Sequence, residues 1–257
     1  MSVKFYNYNL VTQDVTTITA SNENASFPAL NLKDARSTKS FRSNTASVNI
    51  VFDFITIEPV DSFIIVPHKL NGYNINAPIT IEANATNTWG APAFSTTLTS
   101  LDDEMGYSVK EFTEQNYRFW RIVLTSASFI EIGNMFLGKA LLIGTAERSI
   151  NFGWKYSEDE LSKSQTNRYG QSFIDETTTQ KEISGSFTNL RLDEIDSFLE
   201  LYDYNGKTKP FYFFIDCDGM INNSNRFLGH YRLIDKPDIT NKFFALYDTS
   251  IKLKEVN

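Results

Sequence analysis

The strongest constraint on the fold is an alternation of apolar and polar residues that recurs, in short runs, through the first 142 residues. In residues 48–54 four apolar residues share one face of an extended chain: Val48, Ile50, Phe52 and Phe54. Similar runs occur at residues 63–66, 79–81, 119–124 and 130–132, with polar, glycine- and proline-containing stretches between them. Short strands at this spacing predict an antiparallel β-sandwich or barrel.

The character of the sequence changes after Gly144, where residues 145–180 are polar with scattered aromatic residues. A helix is then predicted near residues 190–204 from apolar residues three and four positions apart: Leu192, Ile195, Phe198, Leu199 and Tyr202. Strands are predicted over residues 210–215, 226–234 and 243–256. We therefore predict a mainly β protein with two domains, a β-sandwich over residues 1–143 and a strand-rich α+β domain over residues 144–257.

Composition narrows the range of partners. The whole chain has 31 acidic and 24 basic residues, and its net charge is −7. We therefore expect no basic surface for sequence-specific nucleic-acid binding. Cys217 is the single cysteine, which excludes an intramolecular disulfide and a cysteine-based zinc cluster. The sequence shows no signal peptide and no apolar stretch of membrane-spanning length, so we expect a soluble protein without a membrane anchor.

Two segments look catalytic, but neither completes its motif. Residues 213–219 contain the Asp216-Cys-Asp-Gly pattern of haloacid-dehalogenase-type phosphatases, but only 41 residues follow Asp216, which is too few for that fold. The same segment begins like a calcium-binding loop, but the later ligands of such a loop are missing. A hairpin turn at Asp218-Gly219 is the preferred interpretation. Residues 133–139 have phosphate-loop spacing, but Ala140 replaces the final serine or threonine, which favours a core strand. We expect no enzymatic activity, no cofactor and no metal.

Segments of the first half resemble, in the expected order, the discoidin-type (galactose-binding-like) jelly roll. They are FPALNLKDARSTKSFRS (27–43), VNIVFDF (48–54), YRFWRI (117–122) and IEIGNMFLG (130–138). The resemblance covers about residues 20–142 and implies a jelly-roll sandwich. The sequence departs from this family in two ways that bear on function. It lacks the cysteines of the secreted members, and its loops share no ligand motif with the family.

The second half is similar to the distal-tail and tail-tip proteins of long-tailed bacteriophages, which form a ring between the tail tube and the tip. The resemblance rests on the order of elements and on residues 181–190, 209–215 and 247–256. It implies a structural subunit of the virion tail, assembled in the cytoplasm of a bacterial host. The implied partners are other copies in a homo-oligomeric ring and the tube, tip or hub proteins of the tail.

A ring requires exposed interface residues, and the aromatic content of 14% suits protein contacts. The candidates lie on the predicted helix and in the polar segment 155–180: Leu192, Phe198, Tyr202, Tyr169 and Phe173. This polar segment is either a β-hairpin arm that orders against a partner or a surface loop, and the sequence leaves both alternatives open.

The alternative function is attachment to a cell-surface glycan through the first domain. Residues 84–90, Asn-Ala-Thr-Asn-Thr-Trp-Gly, combine an aromatic side chain with amide and hydroxyl groups, the types that bind sugars. The candidate carbohydrate-binding residues are Trp89, Tyr73 and Asn87. A competing interpretation makes Trp89 a core plug beneath the loop.

Overall fold

The structure is a computed structural model that describes residues 2–36, 38–67, 75–101, 106–143, 150–151, 153–160, 163–169, 171–175, 179–216 and 227–256. In chain order the strands are β1 (Ser2–Tyr6), β2 (Thr17–Ala20), β3 (Phe41–Arg42), β4 (Ser47–Pro67), β5 (Asn76–Asn84), β6 (Phe94–Leu98), β7 (Ser108–Thr125), β8 (Glu131–Gly138), β9 (Leu141–Leu142), β10 (Lys155–Glu160), β11 (Lys163–Thr166), β12 (Ser172–Asp175), β13 (Thr179–Leu190), β14 (Phe211–Asp216), β15 (Gly229–Leu233), β16 (Ile239–Phe243) and β17 (Leu246–Glu255). The described helices are α1 (Leu192–Asn205) and two short 3-10 helices, Leu10–Thr12 and Ala29–Lys33. The protein is mainly β with antiparallel sheets, which confirms the predicted fold class.

The chain divides into two compact units. The sandwich unit contains residues 8–140, and the sheet unit contains residues 1–7, 141–221 and 227–257. The sequence placed residues 1–7 in the first domain, whereas β1 pairs with β14 and β9 in the sheet unit. Lys4 lies opposite Phe214, a separation of 210 residues, so no local pattern could reveal this pairing.

Two long strands, β4 and β7, contribute to both layers of the sandwich unit. The first part of β4 pairs with β2 and with the end of β7, and its second part pairs with β8 and with the start of β7. The register shifts between Asp53 and Glu58, where Ile55 has a φ of 68°. The sheet runs β3-β8-β4-β7-β5-β6, with β2 beside β4, and it bends over its own core at this shift.

The predicted alternation builds the sandwich core. On β4 the side chains of Val48, Ile50, Phe52 and Phe54 are buried. Every residue of β8 is buried as well, so residues 133–138 form a core strand as predicted, and not the start of a phosphate loop. This burial is the main stabilising contribution, since a fully buried aliphatic or aromatic side chain contributes about 1.5–3 kcal/mol.

A buried charge ties the short strand β3 to β8. Glu131 is 4% exposed, pairs with Arg42 at 3.0 Å and accepts the hydroxyl hydrogen of Ser40 at 2.9 Å. The Arg42 guanidinium lies 4.8 Å from the ring centroids of both Phe27 and Phe129. The carboxylate is therefore fully compensated, as a buried charge must be.

The sheet unit is built on one antiparallel sheet in the order β10-β13-β17-β15-β14-β1-β9, with β16 beside β17. Phe198 on α1 makes edge contacts with Phe5 on β1 and Phe187 on β13, at centroid distances of 5.8 and 4.9 Å. The helix begins where Glu194 accepts the Arg191 N–H at 2.7 Å, and it ends at Gly206. Its bounds lie close to the predicted residues 190–204.

The polar segment 155–180 forms strands. β10 pairs with β13, and β11 pairs with β12 in a separate two-stranded sheet. Strand pairing within the chain favours a hairpin over an irregular surface loop, while ordering of this segment against a partner stays a prediction. The predicted turn at Asp218-Gly219 lies outside the described residues.

His230 on β15 makes the stability of the sheet unit depend on pH. Its ring stacks on Tyr212 at 4.7 Å, and burial lowers the pKa of the imidazole from 6.5 to about 4, because the charged form is poorly solvated. The folded protein therefore binds this proton less readily than the unfolded chain. His230 does not lower the free energy of unfolding above pH 6.5. As the pH falls from 6.5 toward 4, protonation of this residue in the unfolded chain lowers that free energy by about 3 kcal/mol.

We predict that His230→Phe, which keeps an aromatic ring against Tyr212, removes this loss. Urea unfolding at pH 7, 6, 5 and 4 should show a smaller decline in the free energy of unfolding for the variant than for the wild type. Carboxylates titrate in both proteins, so the difference between the two curves isolates His230. Parallel curves would contradict a buried, neutral His230.

Candidate functional site

The loop between β5 and β6 is ordered by its own polar side chains. Asn84 accepts the N–H of Ala85 through Oδ1 and donates from Nδ2 to the carbonyl oxygen of Thr88, both at 2.8 Å. The hydroxyls of Thr86 and Thr88 lie 2.9 Å apart. Residues 85–88 are exposed, so this conformation is maintained at the surface by local hydrogen bonds and not by core packing.

Trp89 lies on the outside of the sandwich. Its Nε1–H donates to Asn87 Oδ1 at 2.8 Å, and the guanidinium of Arg121 lies 4.7 Å from the indole centroid. The side chain is half-buried and does not belong to the sandwich core. The core-plug interpretation of Trp89 is therefore wrong.

Arg121 is itself held by an ion pair. It lies on β7 between the buried residues Trp120 and Ile122, and it is directly opposite Glu82 on β5. Arg121 Nε donates to Glu82 Oε2 at 2.6 Å, and Nη2 contacts the same oxygen. The two side chains are 18% and 13% exposed, so the pair is shielded from solvent and the guanidinium has one defined position beneath the indole.

A second arginine on β7, three residues before Arg121, makes a comparable arrangement. Arg118 donates to both oxygens of Asp53, at 2.7 and 2.9 Å, and lies 4.8 Å from the Phe119 ring centroid. The side-chain hydrogen bond from Arg118 lowers the pKa of Asp53. Asp53 also accepts the N–H of Ile55 at 2.9 Å, which supports the positive φ of that residue at the bend in β4.

The structure brings together part of the predicted carbohydrate site. Trp89 and Asn87 are hydrogen-bonded to each other, whereas Tyr73 lies outside the described residues. Arg121 and Glu82 were not among the residues predicted from the sequence. The alternation in residues 119–124 already placed Arg121 on the outward face, but its partner strand could not be read from the sequence.

The predicted interface residues fall in different environments. Leu192 is 56% exposed at the start of α1, and Tyr169 is 74% exposed with Arg168 stacked on it at 4.8 Å. Tyr202 is partly buried, with Lys236 Nζ 5.6 Å from its ring centroid. Phe198 is a core residue and not an exposed interface residue, because its side of α1 faces the sheet. Phe173 lies in β12, opposite Gln165.

The residues that the structure describes include neither a group of metal ligands nor a membrane-spanning helix. Among those residues no three histidine, cysteine, aspartate or glutamate side chains are grouped so that they could hold a metal ion. No helix found there is long and apolar enough to cross a membrane.

No family model and no curated protein matches the sequence. Several solved structures are similar at low identity. A fucose-binding module from Streptococcus pneumoniae is 12% identical, with 51% of this chain and 98% of the module covered and a TM-score of 0.43. A CBM32 module from Clostridium perfringens, in complex with GalNAc-β-1,3-galactose, is 11% identical, with 51% and 100% covered and a TM-score of 0.44. The lectin domain of lectinolysin, complexed with Lewis B antigen, is 10% identical, with 52% and 98% covered and a TM-score of 0.44. With TM-scores below 0.5, these similarities assign no ligand to this chain.

We predict that Arg121 positions Trp89. In Arg121→Gln the cation–π contact is lost, and the Trp89 indole N–H should exchange with solvent about two- to fivefold faster. Two-dimensional NMR of the indole N–H signals measures this rate, with Trp89→Phe used to assign the signal.

Arg118→Gln is the matched control, since it removes an arginine on the same strand that also pairs with a carboxylate and stacks on a ring. The Trp89 signal should be unchanged in this variant. Equal effects of both substitutions would show that Trp89 responds to general loosening of β7.

Proposed function

We propose that the sandwich unit binds a glycan through the loop that carries Trp89. The observation that carries the proposal is the fixed indole, which has Arg121 on one ring face and its N–H bonded to Asn87. A pyranose ring has an apolar C–H face and polar hydroxyls at its rim. It would stack on the ring face opposite Arg121, where the negative face of the π system attracts the C–H groups.

The surroundings of Trp89 supply polar partners for a sugar. The Nδ2 group of Asn87 makes no hydrogen bond to another described residue, and the hydroxyls of Thr86 and Thr88 are exposed. A Cβ added at Gly90 would meet nothing within 4 Å, so the loop has open space at the residue that follows Trp89. Because the loop is already ordered by hydrogen bonds, binding would cost little conformational entropy.

The test is binding of the full chain to an array of immobilised neutral oligosaccharides built from glucose, galactose, mannose and N-acetylhexosamines. The best ligand is then titrated by calorimetry. Trp89→Ala should weaken binding about tenfold or more, because the stacking surface is lost. Trp89→Phe keeps a ring and should retain most of the affinity.

Phe244→Ala serves as the control, since it removes an aromatic side chain that is 94% exposed in the other unit. It should bind as the wild type does. The proposal fails if the wild type binds no glycan of the array, or if Trp89→Ala binds as well as the wild type.

A second candidate function is assembly as a subunit of a bacteriophage tail, which the resemblance of the second half implies. Exposed aromatic residues in the sheet unit support it. Phe243 and Phe244 are 74% and 94% exposed where β16 turns into β17. Adjacent exposed apolar side chains can bury their surface against another protein.

For this second function we predict concentration-dependent self-association of the full chain. Light scattering at increasing micromolar concentrations should report a rising mass, and the double variant Phe243→Ser/Phe244→Ser should lower it. Val15→Ser, at a residue that is 66% exposed in the sandwich unit, is the control. A chain that stays monomeric under all conditions would contradict self-assembly through these residues.

A further inference from the structure

The outward face of the sandwich sheet on which Trp89 lies has an unusual composition. This outer face belongs to five neighbouring strands, in the order β2, β4, β7, β5 and β6. Cross-strand pairing aligns its side chains in three rows. The rows are Thr97-Thr80-Val123-Asn49, Ser95-Glu82-Arg121-Val51-Thr19 and Asn84-Phe119-Asp53-Thr17.

Short side chains dominate these rows. Most members are threonine, serine, asparagine or valine, and none of the residues in the three rows is a lysine. A solvated sheet face ordinarily carries long charged side chains, which keep it soluble and discourage association. The outer face therefore carries few long side chains, and it offers hydroxyl and amide groups that both donate and accept hydrogen bonds.

The charges on this face are paired. Glu82 is bonded to Arg121, and Asp53 is bonded to Arg118. Each pair neutralises itself, so the face offers no unpaired charge among its described residues to a ligand. A neutral ligand complements such a surface better than an anionic or cationic one.

The geometry points to a binding platform that extends from Trp89 across the sheet toward Thr19 and holds an internal stretch of a neutral, extended β-1,4-linked polysaccharide. This inference rests on the glycan-binding function proposed for Trp89 and specifies its ligand class. From Arg121 on β7 the middle row continues to Val51 on β4 and Thr19 on β2, two inter-strand spacings or about 10 Å away. A pyranose residue in an extended chain is about as long as one spacing, which leaves room for about two residues beyond Trp89.

Chain shape selects among neutral polysaccharides. A β-1,4-linked chain is an extended ribbon that can lie along a row of short side chains, whereas an α-1,4-linked chain coils away from such a row. Thr19 is exposed, and the side chain of Asn49 makes no hydrogen bond to another described residue, so both are available to the hydroxyls of such a ribbon. The platform therefore differs from a pocket that takes one terminal sugar.

The experiment is calorimetric titration of the full chain with cello-, chito- and malto-oligosaccharides of one to six residues. We expect the affinity for the cello- or chito-series to rise about tenfold from the disaccharide to the tetrasaccharide and then to level off. The malto-series should show no such rise. Thr19→Glu, which places a charge on the far side of the platform, should reduce hexasaccharide affinity to that of the disaccharide and leave disaccharide binding unchanged.

Thr113→Glu is the matched control, because Thr113 is also an exposed threonine on a strand of this unit but is not part of the outer face. Binding that depends on Trp89 but not on chain length or on Thr19→Glu would overturn the platform and leave the function of Trp89 standing. Absence of binding to the cello- and chito-series would also overturn it. Loss of glycan binding altogether in the array experiment would instead reject the function itself.

Discussion

The pairing of β4 with β7 is the interaction on which the sandwich unit depends. These strands are paired from Ser47 and Thr125 at one end to Ile65 and Ser108 at the other, with irregularities where the sheet bends. Because both strands contribute to both layers, one register determines the core and the outer face together. A slip of one residue would exchange the positions of Trp120 and Arg121, burying a charge and exposing the largest core side chain.

The same register gives the Glu82–Arg121 ion pair a positional role. The pair is largely shielded from solvent, so the cost of desolvating both charges offsets much of their mutual attraction. Glu82 and Arg121 are nevertheless held opposite each other by the backbone ladder, so little side-chain freedom remains to be lost. The effect of the pair is to orient the guanidinium, and through it the indole of Trp89, and this depends on geometry more than on strength.

Local sequence patterns predicted much of the fold but only part of the site. The alternation around Ile50 and Ile122 identified the strands and their buried faces, because a strand has a two-residue period that depends on nothing distant. The aromatic and amide residues of the loop were also recognisable. The Glu82–Arg121 contact was not recognisable, because the two residues are 39 positions apart in the sequence and meet only through the register of their strands. Phe198 is a second example. Helical periodicity identified the apolar stripe of α1, but only the sheet that covers this stripe shows that Phe198 is a core residue.

The position of β1 has a consequence for how the protein is made. Val3 and Phe5 are fully buried in the finished sheet, yet their partner β14 is synthesised about 210 residues later. At the usual elongation rate of 5–20 residues per second, the nascent chain exposes this apolar segment for roughly 10–40 s. The sandwich unit can fold during that interval, since its strands pair among themselves. β1 thus reaches its place in the sheet long after it is made, and until then its apolar side chains depend on protection from aggregation.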